Sequence, residues 1–143
     1  MMIEVSPFIV FKGDCEAAFE YYKSVFGGEY QFIYKYSDVP SSETPCGYED
    51  KILHVSLPLI NNVNLMGMDV VGDAQKRDAG LVAIGLRLND KNETFHLFNA
   101  LSDGGTIVAP LVQTFYADYF GSIIDKFGVA WSFNCNIGRE PAN

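Results

Sequence analysis

The sequence predicts an α+β domain in which one strand–helix–three-strand unit, βαβββ, is used twice. Three observations predict it. The stretch Ser6 to Gly28, SPFIVFKGDCEAAFEYYKSVFGG, passes from a short apolar strand through a polar turn into an amphipathic helix and stops at two glycines. A weaker copy begins at Gly80: displaced by 76 residues, Asp14 falls on Asp90, Phe19 on Phe95, Tyr22 on Phe98 and Val25 on Leu101. One further residue of slippage brings Gly27-Gly28 onto Gly104-Gly105. After each helix come three more segments of strand composition. A supersecondary unit repeated twice predicts a pseudo-symmetric single domain over residues 1–143, with a first module at about 3–70, a second at about 80–137, and a cleft between the halves.

The elements follow in order. Glu4 to Phe11 is rich in β-branched and aromatic residues and reads as the first strand. Lys12-Gly13-Asp14 turns the chain, and Asp14 is placed to cap the helix that follows, with Glu16 in its first turn. In that helix Cys15, Ala18, Phe19, Tyr22, Val25 and Phe26 form one apolar stripe, which Gly27-Gly28 ends. Tyr30 to Ser37 is the second strand, and the Pro- and Ser-bearing stretch Asp38 to Asp50 is a loop. Ile52 to Ile60 and Val63 to Val70 are two strands joined by a tight turn at Asn61-Asn62.

The charged, Gly-flanked stretch Gly72 to Gly80 reads as the connection between modules, and Leu81 to Leu88 as the fifth strand. Asp90-x-x-Glu93 resembles an acidic capping box before a second helix with Phe95, Phe98 and Leu101 inward. Thr106 to Phe115, Tyr119 to Asp125 and Val129 to Asn136 complete the strands, the first of them interrupted at Ala109-Pro110.

Composition narrows the function. The chain carries a net charge of −8 with only ten Lys and Arg, so it lacks the basic stripe that nucleic acid or an anionic membrane surface needs. No apolar run reaches the roughly 20 residues that span a bilayer, and MMIEVSPF lacks the basic and apolar regions of a secretory leader, so a cytoplasmic location is expected. Cys15, Cys46 and Cys135 are odd in number and far apart, which predicts reduced thiols rather than a disulfide framework or zinc knuckle.

Strand alternation separates two faces. Val129, Trp131, Phe133 and Cys135 share one face of the last strand; Ala130, Ser132, Asn134 and Asn136 share the other. In the fifth strand Val82, Ile84, Leu86 and Leu88 oppose Ala83, Gly85 and Arg87. The greasier face belongs under the helices. Arg87, Ser132 and Asn134 are therefore expected on the cleft side.

The segments PFIVFKGDCEAAFEYYKSVFGG at Pro7 to Gly28, KILHVSLPL at Lys51 to Leu59, LMGMD at Leu65 to Asp69 and FYADYFGSIIDKFGVAWSF at Phe115 to Phe133 carry a family resemblance. The chain resembles the vicinal oxygen chelate superfamily of glyoxalase I, bleomycin-resistance proteins and extradiol dioxygenases, and within it the PhnB-like branch. Tyr116 departs from the branch, which more often has Trp there. The resemblance implies paired βαβββ modules forming an incomplete barrel around a cleft, and a homodimer.

In members that do chemistry, it also implies four inward positions holding a divalent metal through His, Gln or Glu. Carried onto this chain they fall on Pro7, Met66, Ala83 and Ser132, none a usable ligand for such an ion, so no metal cofactor is expected. The branch is often labelled 3-demethylubiquinone methyltransferase. A nucleotide-type cofactor would need a glycine-rich turn into a helix, and Lys12-Gly13-Asp14 supplies one glycine.

The expected function is metal-free binding of a small organic molecule. The alternatives are a metal-dependent lyase, isomerase or dioxygenase, or a drug-sequestering resistance-type protein. Arg87, Ser132, Asn134, His54 and Tyr116 are the candidate ligand-binding residues. Arg87 needs a carboxylate, from a bound anion or from an internal Asp or Glu. His54, on a strand face with Ser56, is either a general base or a structural histidine hydrogen-bonded across the sheet. His96 lies opposite the second helix's apolar stripe and is expected in solvent. Tyr116 and Tyr119, near the expected cleft mouth, are either a ligand-stacking wall or plain packing or dimer contact. Trp131 is expected in the core, and Asp69 and Asp125-x-x-Gly128 as turn formers.

Overall fold

A computed structural model describes residues 3–40, 44, 46–59, 63–72 and 82–137. The chain divides into two compact units, Met1–Lys76 and Arg77–Asn143. The first holds β1 (Phe8–Phe11), α1 (Cys15–Phe26), β2 (Phe32–Lys35), a 3₁₀ turn at Tyr36–Asp38, β3 (Ile52–Pro58) and β4 (Asn64–Asp69). The second holds β5 (Ala83–Leu88), α2 (Lys91–Ser102), β6 (Thr106–Val112), β7 (Tyr119–Ile124) and β8 (Ala130–Cys135). Each is a four-stranded sheet with the same wiring, β1–β4–β3–β2 and β5–β8–β7–β6. The outer strand β1 runs parallel to β4, and β5 parallel to β8; the remaining pairs are antiparallel. Each unit is one copy of the βαβββ repeat, an α+β arrangement of the glyoxalase-like kind.

In the first unit α1 lies against one face of the sheet. Its Cys15, Ala18, Phe19 and Tyr22 are fully buried, opposite Ile9, Phe11, Val55, Leu57 and Leu65. Gly67 lets the helix approach: a Cβ there would stand 2.5 Å from Cε2 of Phe19. The β2–β3 register slips between Tyr34 and Lys35, so Ile52 pairs with Lys35 and Leu53 is the extra residue. That bulge brings Ile52 into the core, where it is fully buried.

The second unit repeats the plan with α2, whose Thr94, Leu97, Phe98 and Leu101 are buried. Phe98 meets Phe133 edge-on at 5.2 Å. Trp131 is fully buried, as alternation expects. Phe95 is not part of the inward stripe but sits at its margin, edge-on to Tyr119 at 5.2 Å. The reason is the 3.6-residue period: Thr94, Leu97, Phe98 and Leu101 lie on one line, and Phe95 is about 100° off Thr94. His96 is exposed.

Two capping expectations part company. Asp90 caps α2: its Oδ1 accepts the Glu93 N–H at 2.7 Å, and the Thr94 hydroxyl donates to its carbonyl at 2.6 Å. Asp14 makes no side-chain cap on α1. The carboxylate at that end is Asp69, whose Oδ1 accepts the N–H of Gly13 at 2.8 Å and of Cys15 at 3.0 Å. Its Oδ2 accepts the Ile52 N–H at 2.9 Å, and the Tyr36 hydroxyl donates to its carbonyl at 2.9 Å. Asp69 is thus no turn former; it is a buried tie between helix, strand and 3₁₀ turn. Asp125 does form its turn, accepting the N–H of Phe127 and of Val129, and also the Trp131 indole N–H at 3.0 Å.

Several strands are shorter than alternation suggests. The first begins at Phe8, the second ends at Lys35 where the 3₁₀ turn starts, and β6 ends at Val112. β6 slips register at Ile107/Ala109 and Ala109/Val112, where Ala109-Pro110 interrupts the ladder. The Asn61-Asn62 turn and most of the Gly72 to Gly80 connection lie outside the described residues.

Candidate functional site

In each unit one sheet face is covered by the helix and the other is helix-free. The pairing register sets out the helix-free face of the second unit in rows. Arg87, Asn134 and Phe120 form one row across β5, β8 and β7; Gly85, Ser132 and Ser122 form the next; Ala83, Ala130 and Ile124 the third. The structure therefore brings Arg87, Ser132 and Asn134 onto one surface, as alternation predicts. Phe120 and Ser122 join them and were legible too, since Tyr119 to Ile124 alternates like any strand.

Each polar group here has an open valence. Arg87 is exposed and makes no ion pair among the described residues. Among the described residues the internal pairing is absent, and so is the burial that would have demanded it. Asn134 accepts the Asn136 amide N–H on its Oδ1 at 2.8 Å, which leaves its own NH₂ to donate. Beside Ser132, Gly85 contributes no side chain: a Cβ there would stand 3.4 Å from the hydroxyl, so glycine keeps the Ser132 Oγ uncovered.

Tyr116 belongs to the same neighbourhood. It lies on the turn Thr114–Ala117, where the Thr114 Oγ1 accepts the Ala117 N–H at 3.1 Å. Its ring meets Phe120 at 5.6 Å and Phe115 at 5.0 Å, and it is 50% exposed. Tyr119 is on the other face, against Phe95, with the Lys91 ammonium 5.5 Å from its ring centre. The two tyrosines of the aromatic stretch thus part: Tyr116 is available to a ligand and Tyr119 is packing.

His54 lies in the first unit, on a helix-free face of different character. Phe8 pairs with Met66, Met66 with Ser56, Ser56 with Phe32, and His54 with Tyr34. The imidazole is held between Phe8 at 5.4 Å and Phe32 at 4.9 Å. Its Nε2 is buried and has no hydrogen-bond partner among the described residues. A buried nitrogen left so costs on the order of 1–3 kcal/mol. At Nε2 the hydrogen bond expected across the sheet is not made among the described residues. Its neighbour Ser56 instead donates to Gln31 Oε1 at 3.1 Å.

The four positions implied for a metal do not suit one. Pro7 offers no side-chain donor, and its carbonyl already accepts the Met66 N–H at 2.9 Å. Alternation in β1 gives the helix-free position opposite Met66 to Phe8, which has no donor either. Met66 presents a soft thioether, Ala83 a methyl and Ser132 a neutral hydroxyl. Among the described residues no three His, Cys, Asp or Glu side chains converge.

Neither is the first helix's N-terminus available to a phosphate. The N–H groups of Gly13 and Cys15, which a cofactor would use, both point at Asp69. Burial, with the charges of Asp69 and Glu16, pushes the Cys15 thiol far above its ordinary range, so it is neutral at physiological pH and no nucleophile.

Comparison with known proteins agrees with the fold. The family described as 3-demethylubiquinone-9 3-methyltransferase matches residues 3–133. Protein YjdN of Escherichia coli is 27% identical over 146 residues, covering 96% of this chain and 97% of YjdN. Protein PA1353 of Pseudomonas aeruginosa is 34% identical, with TM-score 0.85 over 95% of this chain and 99% of that one. The PhnB protein of Bacillus cereus, 24% identical, shares the fold at TM-score 0.79 over 93% and 99%. Glyoxalase-related structures share it at lower identity. The chain belongs to the family described as 3-demethylubiquinone-9 3-methyltransferase.

Proposed function

We propose that the chain binds a small organic anion, without a metal, on the helix-free face of its second unit. The observation that carries this reading is Arg87, an exposed guanidinium on a core strand with no ion pair among the described residues. A guanidinium fixed on a sheet offers two parallel N–H bonds to a carboxylate or phosphate. The NH₂ of Asn134 and the hydroxyl of Ser132 extend the donor set along β8, and Tyr116 with Phe120 supplies an aromatic wall for the rest of the molecule.

Methyl transfer is not part of this reading. The Asp69 carboxylate occupies the amides a nucleotide-type cofactor would need at α1. Metal-assisted lyase, isomerase or dioxygenase chemistry is disfavoured by the donors at Met66, Ala83 and Ser132.

The same reading includes a homodimer joined along β6. This strand lies at the sheet edge and exposes Ile107, Val108 and Val112, with fully exposed Phe115 just beyond it. A cytoplasmic location fits three free cysteines, two of them buried. No helix among the described residues is long and apolar enough to cross a membrane.

The test is a thermal-shift screen of chelator-treated protein against small aromatic and aliphatic carboxylates and phosphates. A ligand at a hundred times its Kd should stabilise by about 2.7 kcal/mol. Arg87→Ala should abolish that rise. A rise unchanged in the variant would retire Arg87 as the anion contact.

A further inference from the structure

We propose that the helix-free face of the first unit holds an uncharged, phenol-like molecule, whose hydroxyl hydrogen-bonds His54 Nε2 and whose ring lies beside Phe8 and Phe32. This goes beyond the anion reading: it concerns another unit, and its chemistry is the opposite of Arg87's. The starting point is the Nε2 atom, buried and without a partner among the described residues. Two phenyl rings flank the imidazole, Phe8 tilted at 52° and Phe32 edge-on at 75°. The Ser56 hydroxyl is committed to Gln31. A polar atom kept in such surroundings is a specificity point for a guest that brings its own polar group.

The face selects the guest's charge. Phe8, Val10, Phe32, Tyr34, Met66 and Met68 project from it with His54, and none of them is charged. A carboxylate or ammonium would lose its hydration there and gain no counter-charge. Neutral imidazole Nε2 donates in one tautomer and accepts in the other, and a hydroxyl can answer either.

The face also selects the guest's shape. Rings that already meet edge-on and tilted add a further aromatic ring at favourable geometry, and the two thioethers adapt to its outline. The wall that turns aside is Phe8. It is 47% exposed and sits on a four-residue strand at the sheet edge, whereas Phe32 is stacked on Tyr34 at 5.3 Å.

The experiment compares p-cresol with toluene, two uncharged probes that differ by the hydroxyl. Dissociation constants are measured by NMR titration, with the imidazole ¹⁵N signals followed and exposed His96 as internal control. Expected is binding of p-cresol about tenfold tighter than toluene, the worth of one buried hydrogen bond. The His54 Nε2 signal should move and the His96 signal stay. His54→Phe should erase the preference, and Arg87→Ala should leave it intact. Equal affinity for the two probes, an unmoved Nε2 signal, or a preference that survives His54→Phe would overturn the proposal. If His54→Phe fails to fold, the wild-type Nε2 signal decides alone. Because p-cresol carries no charge at neutral pH, a wild-type chain that binds p-cresol but no anion would count against the Arg87 reading only.

Discussion

The Asp69 carboxylate caps a helix 54 residues away in sequence, accepting the Cys15 backbone N–H at 3.0 Å. With Gly13 and Ile52 it gathers three buried backbone donors onto one side chain. It joins the start of α1, the start of β3 and the end of β4.

Removing that carboxylate should be costly. Asp69→Ala leaves three N–H groups without their acceptor and should destabilise the chain by about 3 kcal/mol or more. Asp14→Ala should cost under about 1 kcal/mol, because Asp14 makes no side-chain cap. Urea unfolding of both variants checks the pair; equal losses would return the cap to Asp14.

Gly67 should not tolerate a methyl group. Its Cβ would meet Phe19 Cε2 at 2.5 Å and the Ile9 carbonyl at 3.1 Å, and Phe19 is fully buried. Gly67→Ala should cost about 1–3 kcal/mol. Phe19→Leu should itself destabilise, yet the double variant should lose less than the two single losses added. A double-mutant cycle with no such coupling would separate the two residues.

Stability should fall on the alkaline side. Burial is the first cause that raises Cys15 above its ordinary 9.0 and Tyr30 and Tyr36 above their ordinary 10.0; Glu20 adds to it at Tyr30 and Asp69 at Cys15 and Tyr36. A raised acid is neutral in the folded chain while the unfolded chain ionises first. The stability it contributes is therefore complete below the unfolded value and declines as pH rises past it. Urea midpoints should be level near pH 8 and decline above about pH 9, with a shallower decline in Cys15→Ala between 9 and 10. In the native chain exposed Cys46 should react rapidly with a thiol reagent, and buried Cys15 and Cys135 only after unfolding.

A charge on the exposed β6 edge should break the proposed dimer. Val108 is 60% exposed on that strand, so Val108→Lys should halve the mass measured by light scattering without lowering the melting temperature of the monomer. A wild-type chain already monomeric at micromolar concentration would remove the dimer from the account.

Much of the fold could be read from local pattern. The repeat, both helices and the face of Arg87, Ser132 and Asn134 follow from periods of 3.6 and 2, which neighbouring residues set. The Asp90 cap was legible for the same reason, because its acceptor and donor are three residues apart. Asp69 was not, because its partners Gly13 and Cys15 lie 56 and 54 residues away and nothing local marks them. His54 was visible as a candidate, but the rings of Phe8 and Phe32 around it arise from strand pairing that no spacing reveals. Burial of Ile52 depends on the bulge at Leu53, where a strict alternation would have placed it with His54.

Calorimetric titration of chelator-treated wild-type and Arg87→Ala protein with the best carboxylate from the thermal-shift screen tests the central claim most directly. The account predicts metal-independent binding by the wild type and its loss in the variant. Binding that needs an added divalent metal, or that Arg87→Ala leaves unchanged, would contradict it.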